Sequence, residues 1–283
     1  LNVDPNHAGE DRRDLAGALH DLRKASGLSG DRLARRCGMS QSKISRIETG
    51  RLLPTVVDVE QILTALAVDQ ATKGELLALA RVANAEYHDV RTSVRRGLHH
   101  RQREIAALES NAAEVRHFLP SLVTGLLQVP EYMRAAMSAP VEPAAGDVSK
   151  ALALKIERQA ILYDTSRTFH FLLTESAIRW RLCPPSVMAI QLDHLISISR
   201  LPNVHIGVLP LSVPVADGPY HTFVVYDRRL VTIELFTGRL VLRDPRDIDH
   251  YRALFAFFSH GALWSDEARA MLSEQADVFR STG

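Results

Sequence analysis

The chain changes its hydrophobic rhythm near residue 167. Before that point apolar residues recur every three or four positions, and beyond it several short stretches alternate apolar with polar. The first rhythm predicts helices and the second predicts strands. Leu15, Ala18, Leu19, Leu22 and Ala25 form the first helical stripe, which Gly27 ends. Ser29 can cap a second helix that carries Leu33, Ala34 and Cys37 inward, and Gly38 supplies the residue that tolerates a left-handed turn. Ser40 then caps a helix of about two turns, with Ile44 and Ile47 inward and Gln41, Ser42, Lys43, Ser45 and Arg46 left outside. Gly50 stops it. Thr55 opens a fourth helix through Leu66, and a fifth begins near Thr72 and runs past Asn84.

Between Val90 and Arg103 the sequence turns polar and basic, with Gly97 in the middle, and this marks a domain boundary. The predicted organisation is a flexible tail over 1–12, an all-α five-helix domain over 13–96, and a second domain over 97–283. In the second domain Ile105, Leu108, Ala112, Val115 and Leu119 give one helical stripe from Glu104 to Leu119, which Pro120 ends. Ala139 to Asp147 reads as a Pro/Ala/Gly-rich loop, followed by a helix carrying Leu152, Ile156, Ala160 and Tyr163 inward. RTFHFLLT, NVHIGVLP, HTFVVYD, LVTIELF and RLVL are strands, with connections at Asp227–Arg229 and at Thr237 and Gly238 short enough for antiparallel hairpins. Helices cover 186–199, 248–259 and 266–279. The second domain is therefore α+β, with helices covering a largely antiparallel sheet.

Composition adds little to this: 46% hydrophobic and 24% charged residues describe an ordinary globular chain. No apolar run approaches the eighteen or so residues of a spanning helix, and residues 1–14 are too polar for a secretory signal, so a cytoplasmic protein with no membrane partner is expected. Cys37 and Cys183 lie outside any metal-ligand spacing, and no cofactor is expected. Charge says more. Residues 1–103 hold 17 basic and 13 acidic side chains, a net of +4, and residues 104–283 hold 17 and 20, a net of −3. Ser29 to Arg51 alone has six basic residues against two acidic, an excess that a polyanion would feel and that a solvated face would also show.

A helix, a turn at Gly38 and a short helix with a polar, basic outer face can enter the DNA major groove, where Gln and Arg make paired hydrogen bonds to base edges. The alternative is a helical bundle used for protein contacts. LSGDRLARRCGMSQSKISRIETGRLLPTVVDVEQILTALAV resembles the five-helix domain of the Cro and phage-repressor type, with Leu33, Ala34, Gly38, Ser40, Ile44, Ile47, Glu48, Gly50, Pro54, Leu63 and Leu66 in register. That resemblance implies base contacts from Gln41, Ser42 and Arg46, and backbone contacts from Arg32, Lys43, Ser45, Thr49 and Arg51. It also implies a structural ion pair between Arg23 and Glu48. Gly30 departs from the pattern, because the family commonly has a phosphate-touching Gln there.

The second domain has no GxGxxG, P-loop, HExxH or GxSxG, and no nucleophile, base and orienting group can be nominated together, so an enzyme is not expected. His99 and His100 read as solvated, DPRDID at Asp244 to Asp249 as a turn at Pro245 with a helix cap at Asp247, and Trp180, Trp264 and Phe255 to Phe258 as core. LVTGLLQVPEYMRA, KIERQAIL, FLLTESAIRWR, QLDHLI and NVHIGVLPL resemble the C-terminal domain of the actinobacterial WhiJ-like regulators, although Thr124 stands where that family often has Pro. The resemblance implies a regulator of development or secondary metabolism, read here as a repressor. It would act as a homodimer on a roughly palindromic operator in double-stranded DNA, and a small protein encoded beside it would modulate it. It places the partner surface at Leu126, Leu127, Gln128, Tyr132, Arg134, Arg158 and Gln159, for which the alternative is core packing. Two other readings are open: a sensor with a small-molecule effector in a pocket lined by Phe169, Phe171 and Trp180, and an antitoxin-like protein that neutralises its neighbour.

Overall fold

The computed structural model describes residues 8–89, 98–138 and 148–282. The chain divides into two compact units, one of residues 1–88 with 240–247 and one of residues 89–239 with 248–283. Unit 1 contains α1 (Ala8–Ala25), α2 (Gly30–Cys37), α3 (Gln41–Glu48), α4 (Val56–Ala65) and α5 (Gln70–Asn84), followed by β1 (Ala85–Asp89). Leu15, Leu19, Leu33, Ile44, Ile47, Val59, Ile62 and Leu63 close its core. The stripes were predicted inward because each repeats at the helical period, and the helix ends are set by side chains. Thr55 Oγ1 accepts from the Asp58 backbone amide at 3.1 Å, while Asp58 Oδ2 accepts from the Thr55 amide at 3.2 Å, a reciprocal box at the start of α4.

Unit 2 begins with α6 (Leu98–Ser110) and β2 (Glu114–Leu119), and continues through a short 3₁₀ turn (Gly125–Leu127), α7 (Pro130–Met137) and α8 (Val148–Arg158). A second 3₁₀ turn (Gln159–Tyr163) leads to β3 (Thr168–Thr174), α9 (Glu175–Arg179), α10 (Pro185–Ile198) and β4 (Val204–Leu209). The hairpin of β5 (Phe223–Tyr226) and β6 (Leu230–Leu235) follows, and β7 (Gly238–Leu242) straddles the division between the units. α11 (Pro245–His260), β8 (Leu263–Trp264) and α12 (Ser265–Ser281) complete the chain. The sheet of unit 2 pairs β2 with β3 and β3 with β4 in parallel, and β2 with β5, β5 with β6 and β4 with β8 antiparallel. This is an α+β unit in which antiparallel pairing predominates.

Val115, His117 and Leu119 point to one face of β2, and Arg116 and Phe118 to the other. The second face packs on α11, where Phe118 stacks with Phe258 at 4.6 Å and Arg116 lies 5.8 Å above the Phe255 ring. Asp227, with φ of 52°, turns the β5–β6 hairpin, and its Oδ1 accepts from the amides of Ala113 and Glu114 at 3.0 and 2.8 Å. One turn residue thereby fixes where β2 begins.

Several expectations change. α1 starts at Ala8, so part of the expected tail is helical; residues 1–7 lie outside the described residues, as do 90–97 of the expected linker and the expected loop at 139–147. Residues 98–103 belong to α6 rather than to a linker. The single helix expected from Glu104 to Leu119 ends at Ser110, because Val115 and Leu119 satisfy strand alternation as well as helical spacing and the neighbouring strands decide between them. Ile156, Ala160 and Tyr163 are exposed rather than inward; for the last two, the helix tightens to 3₁₀ geometry after Arg158 and the stripe rotates. Trp180, at 67% exposure, and Phe257 are not core. Asp244 holds the start of α11, with Oδ1 accepting from the Arg246 amide at 2.9 Å.

Candidate nucleic-acid interface

The turn between α2 and α3 is built by two serines and a glycine. Ser29 Oγ accepts from the Arg32 amide at 3.3 Å and Ser40 Oγ from the Lys43 amide at 3.2 Å, each satisfying a helix N-terminal donor. Gly38 has φ of 65° and ends α2, and the Met39 amide returns to the Ala34 carbonyl at 2.9 Å. Glycine suits that position because a Cβ would strain the left-handed conformation. α3 is thus aimed by local chemistry, and Ile44 and Ile47 anchor it on Leu33 and Leu63 in the core.

A bidentate ion pair adds a second anchor. Arg23 Nε reaches Glu48 Oε1 at 2.6 Å and Nη2 reaches Oε2 at 2.8 Å, with the side chains only 12% and 9% exposed. Arg23 also donates to the Leu28 carbonyl at 3.0 Å, and His20 Nδ1 lies 3.2 Å from Glu48 Oε2. The pair ties α1 to the last turn of α3, and the planar guanidinium fork suits such a fixed geometry.

Gln41, Ser42, Ser45 and Arg46 are exposed on the face of α3 opposite those anchors. The Gln41 amide nitrogen lies 3.8 Å from where a Cβ on Gly30 would stand, so glycine at the start of α2 leaves room beside it. Arg32, Thr49 and Arg51 are exposed, as are Arg35 and Arg36, which the family resemblance does not nominate although their charge and position after Arg32 are plain in the sequence. Not all of the nominated groups are free to reach a ligand. Lys43 Nζ donates to Asp58 Oδ1 at 2.7 Å, so its charge is spent within the unit, and Thr49 Oγ1 donates to the Ser45 carbonyl at 2.8 Å. The Thr55-to-Asp58 capping box was the sequence signal for an acidic partner near Lys43.

The residues nominated as a partner surface do not form one. Leu126, Leu127, Gln128 and Tyr132 are buried. Gln159 Nε2 donates to the carbonyls of Gly125 and Gln128 at 3.0 and 2.7 Å, Gln128 Nε2 donates to the Val123 carbonyl at 2.7 Å, and Arg158 pairs with buried Glu109. Of the set, Arg134 alone is exposed. The GLLQ and ERQ segments hold each other together by filling backbone acceptors of a turn. Phe169 and Phe171 are fully buried and exposed Trp180 lies apart from them, so these three do not line a common pocket.

Among the described residues no cluster of His, Cys, Asp and Glu could hold a metal ion, and no helix is long and apolar enough to cross a membrane. Of solved structures, the chain is similar to a phospholipase D family member, Nuc, from Salmonella typhimurium, at 10% identity and a TM-score of 0.34, covering 58% of this chain and 90% of that one. It is also similar to TrmBL2, described as an archaeal chromatin protein with a novel mode of DNA binding, at 12% identity and a TM-score of 0.34, covering 72% of this chain and 65% of that one. At that level neither fold nor activity transfers. No curated protein matches the chain. A helix-turn-helix family profile matches residues 14–84, the five helices whose geometry is described above, and marks a DNA-binding regulator. A second profile, described as a domain of unknown function (DUF5753), matches residues 102–274, and because that span is more than half of its length the chain belongs to the DUF5753 family.

Proposed function

We propose that this chain is a sequence-specific transcriptional repressor that lays α3 in the major groove, with Gln41, Ser42 and Arg46 against base edges and Arg32, Ser45 and Arg51 toward phosphates. The observation that carries the reading is the exposed polar face of α3, held rigid by Ile44, Ile47 and the Arg23–Glu48 pair. Lys43 is left out of the contact set because Asp58 already neutralises it. The protein acts as a homodimer, so the operator is a rough palindrome with half-sites about 34 Å apart. Exposed Trp180, Leu211 and Val215 around one groove of unit 2 support an association surface of this kind. A neighbouring small partner protein keeps no assigned surface in this proposal, since Leu126, Leu127, Gln128 and Tyr132 are buried and Arg158 and Gln159 are engaged within the unit.

The test is to select an operator with the full chain and compare Arg46→Ala on that operator and on random duplex. Loss of about 1–3 kcal/mol on the operator and little elsewhere is expected. Equal losses on both would move Arg46 to a phosphate role, and unchanged operator affinity in both Arg46→Ala and Gln41→Ala would overturn the reading. Sedimentation of wild type and Leu211→Asp reads the dimer.

A further inference from the structure

One face of the unit 2 sheet looks onto α6 and α8. Register places Phe171 and Val224 on either side of His117 there, and a cavity of about 400 Å³ opens between this face, the two helices and the Gly125 turn. The volume is within the range of small-molecule sites, roughly 300–1,000 Å³. Ile105, Leu119, Leu122 and Val224 give the cavity an apolar wall, and Glu109, His117, Lys155, Arg158, Tyr226 and, at its rim, Glu234 give it a polar one.

The polar wall is incompletely satisfied. His117 is buried and stacks on Phe171 at 4.8 Å, yet neither ring nitrogen has a hydrogen-bond partner. Burial holds the imidazole neutral, with its pKa down at about 3, so it offers one donor and one acceptor. Arg158 and Glu109, with side chains 6% and 1% exposed, approach at 3.3 Å, but Arg158 Nε and Glu109 Oε2 also lack hydrogen bonds. Buried polar atoms are ordinarily paired, and an orphan gives up its hydration with nothing in return. Other such atoms lie singly elsewhere in unit 2, on Arg116, Tyr132, Asn203, Arg239 and Ser259, whereas those of Glu109, His117 and Arg158 converge on one cavity.

Two cations stand at its wall. Lys155 Nζ donates to Gln128 Oε1 at 3.3 Å and Arg158 Nη1 to Gln102 Oε1 at 3.2 Å. A Cβ on Gly125 would come within 2.9 Å of Arg158 Nη2 and 3.3 Å of Lys155 Cε, so the glycine allows both side chains to lie where they do. Burial raises Glu109 to about 7, which leaves Arg158 with a counter-charge that is only partly ionised near neutrality.

We propose that this cavity binds a small organic acid, its carboxylate between Lys155 and Arg158, a second hydrogen-bonding group on His117, and its apolar body along Ile105, Leu119 and Val224. That such an acid is the effector of the regulator rests on the function proposed above; the binding does not.

Calorimetric titration of the full chain with phenylacetate, 4-hydroxyphenylacetate and the uncharged 2-phenylethanol tests it. Both acids should bind, the hydroxylated one more tightly, and the alcohol at least tenfold more weakly. Lys155→Met should weaken both acids at least tenfold, while His117→Phe should abolish the preference for the hydroxylated acid. Lys155 is half-buried at the cavity edge, so its variant carries the test if His117→Phe does not fold. No heat from either acid at millimolar concentration, or wild-type affinities in the folded variants, would overturn the proposal. Operator binding measured without acid is a separate arm: its failure counts against the DNA-binding reading and leaves the cavity result standing.

Discussion

In unit 1 the side chains able to touch a ligand, Gln41, Ser42 and Arg46, stand outside a core of Leu, Ile, Val and Ala, whereas in unit 2 Glu109, His117 and Arg158 are walled inside. The placement decides what a substitution does. An exposed polar residue on α3 contributes little to folding, so Arg46→Ala should leave stability within about 0.5 kcal/mol. A buried polar residue in unit 2 is coupled to folding and to pH, because its protonation state differs between the folded and unfolded chain.

The Arg23–Glu48 pair is the place where unit 1 behaves like unit 2, and it gives the largest effect. Glu48→Ala leaves a nearly buried guanidinium unpaired and should lower stability by about 3 kcal/mol in urea denaturation, while the Arg23→Met/Glu48→Leu double variant recovers most of the loss. A cost below about 1 kcal/mol would place the pair with ordinary surface salt bridges and restore a simple contrast between the units.

The next effect separates two buried groups of opposite sign. Glu109 is raised from 4.5 to about 7, so between those values the folded chain holds the extra proton and stability falls as pH rises. His117 is lowered from 6.5 to about 3, so between those values the unfolded chain holds the extra proton and stability rises with pH. The two slopes oppose each other where the windows overlap. Glu109→Gln should remove the fall, gaining roughly 3 kcal/mol relative to wild type on going from acid to pH 8, and His117→Phe should remove the rise. Calorimetry across pH 4 to 8 reads both. Unchanged profiles would show that these side chains are hydrated in solution.

Smaller effects return to α3. Gly38→Ala, at φ of 65°, should cost about 1–2 kcal/mol, read as a lower melting temperature with operator affinity otherwise kept. Lys43→Ala should cost less than about 1 kcal/mol and change operator affinity little, because its partner is Asp58. A large loss of affinity would mean that Lys43 leaves Asp58 for a phosphate.

The same contrast explains what could be read from the residues alone. α2 and α3 were legible because Ser29, Gly38 and Ser40 act within four residues of themselves, and because Ile44 and Ile47 allow one inward face. β2 was not, since Val115 and Leu119 fit either period and only β3 and β5, more than fifty residues later, settle it. The GLLQ and ERQ segments looked like a surface because they mix apolar and polar residues; that the polar ones are spent on the backbone carbonyls of a turn depends on a fold that brings Gln159 to Gly125. For the same reason the cavity was invisible, its wall being drawn from α6, β2, α8 and β5.

Unit 1 is not contiguous in sequence. The Val56 amide at the start of α4 donates to Asp244 Oδ2 at 2.9 Å across 188 positions, Asn84 accepts from the Arg243 amide at 3.3 Å, and Arg246 pairs with Glu60. The five-helix bundle taken alone therefore has one helix end unfilled, and the carboxylate that fills it comes from a segment far along the chain. A chain clipped after β1 would carry α3 on a loosened support, which makes the integrity of the bundle hostage to a distant strand end.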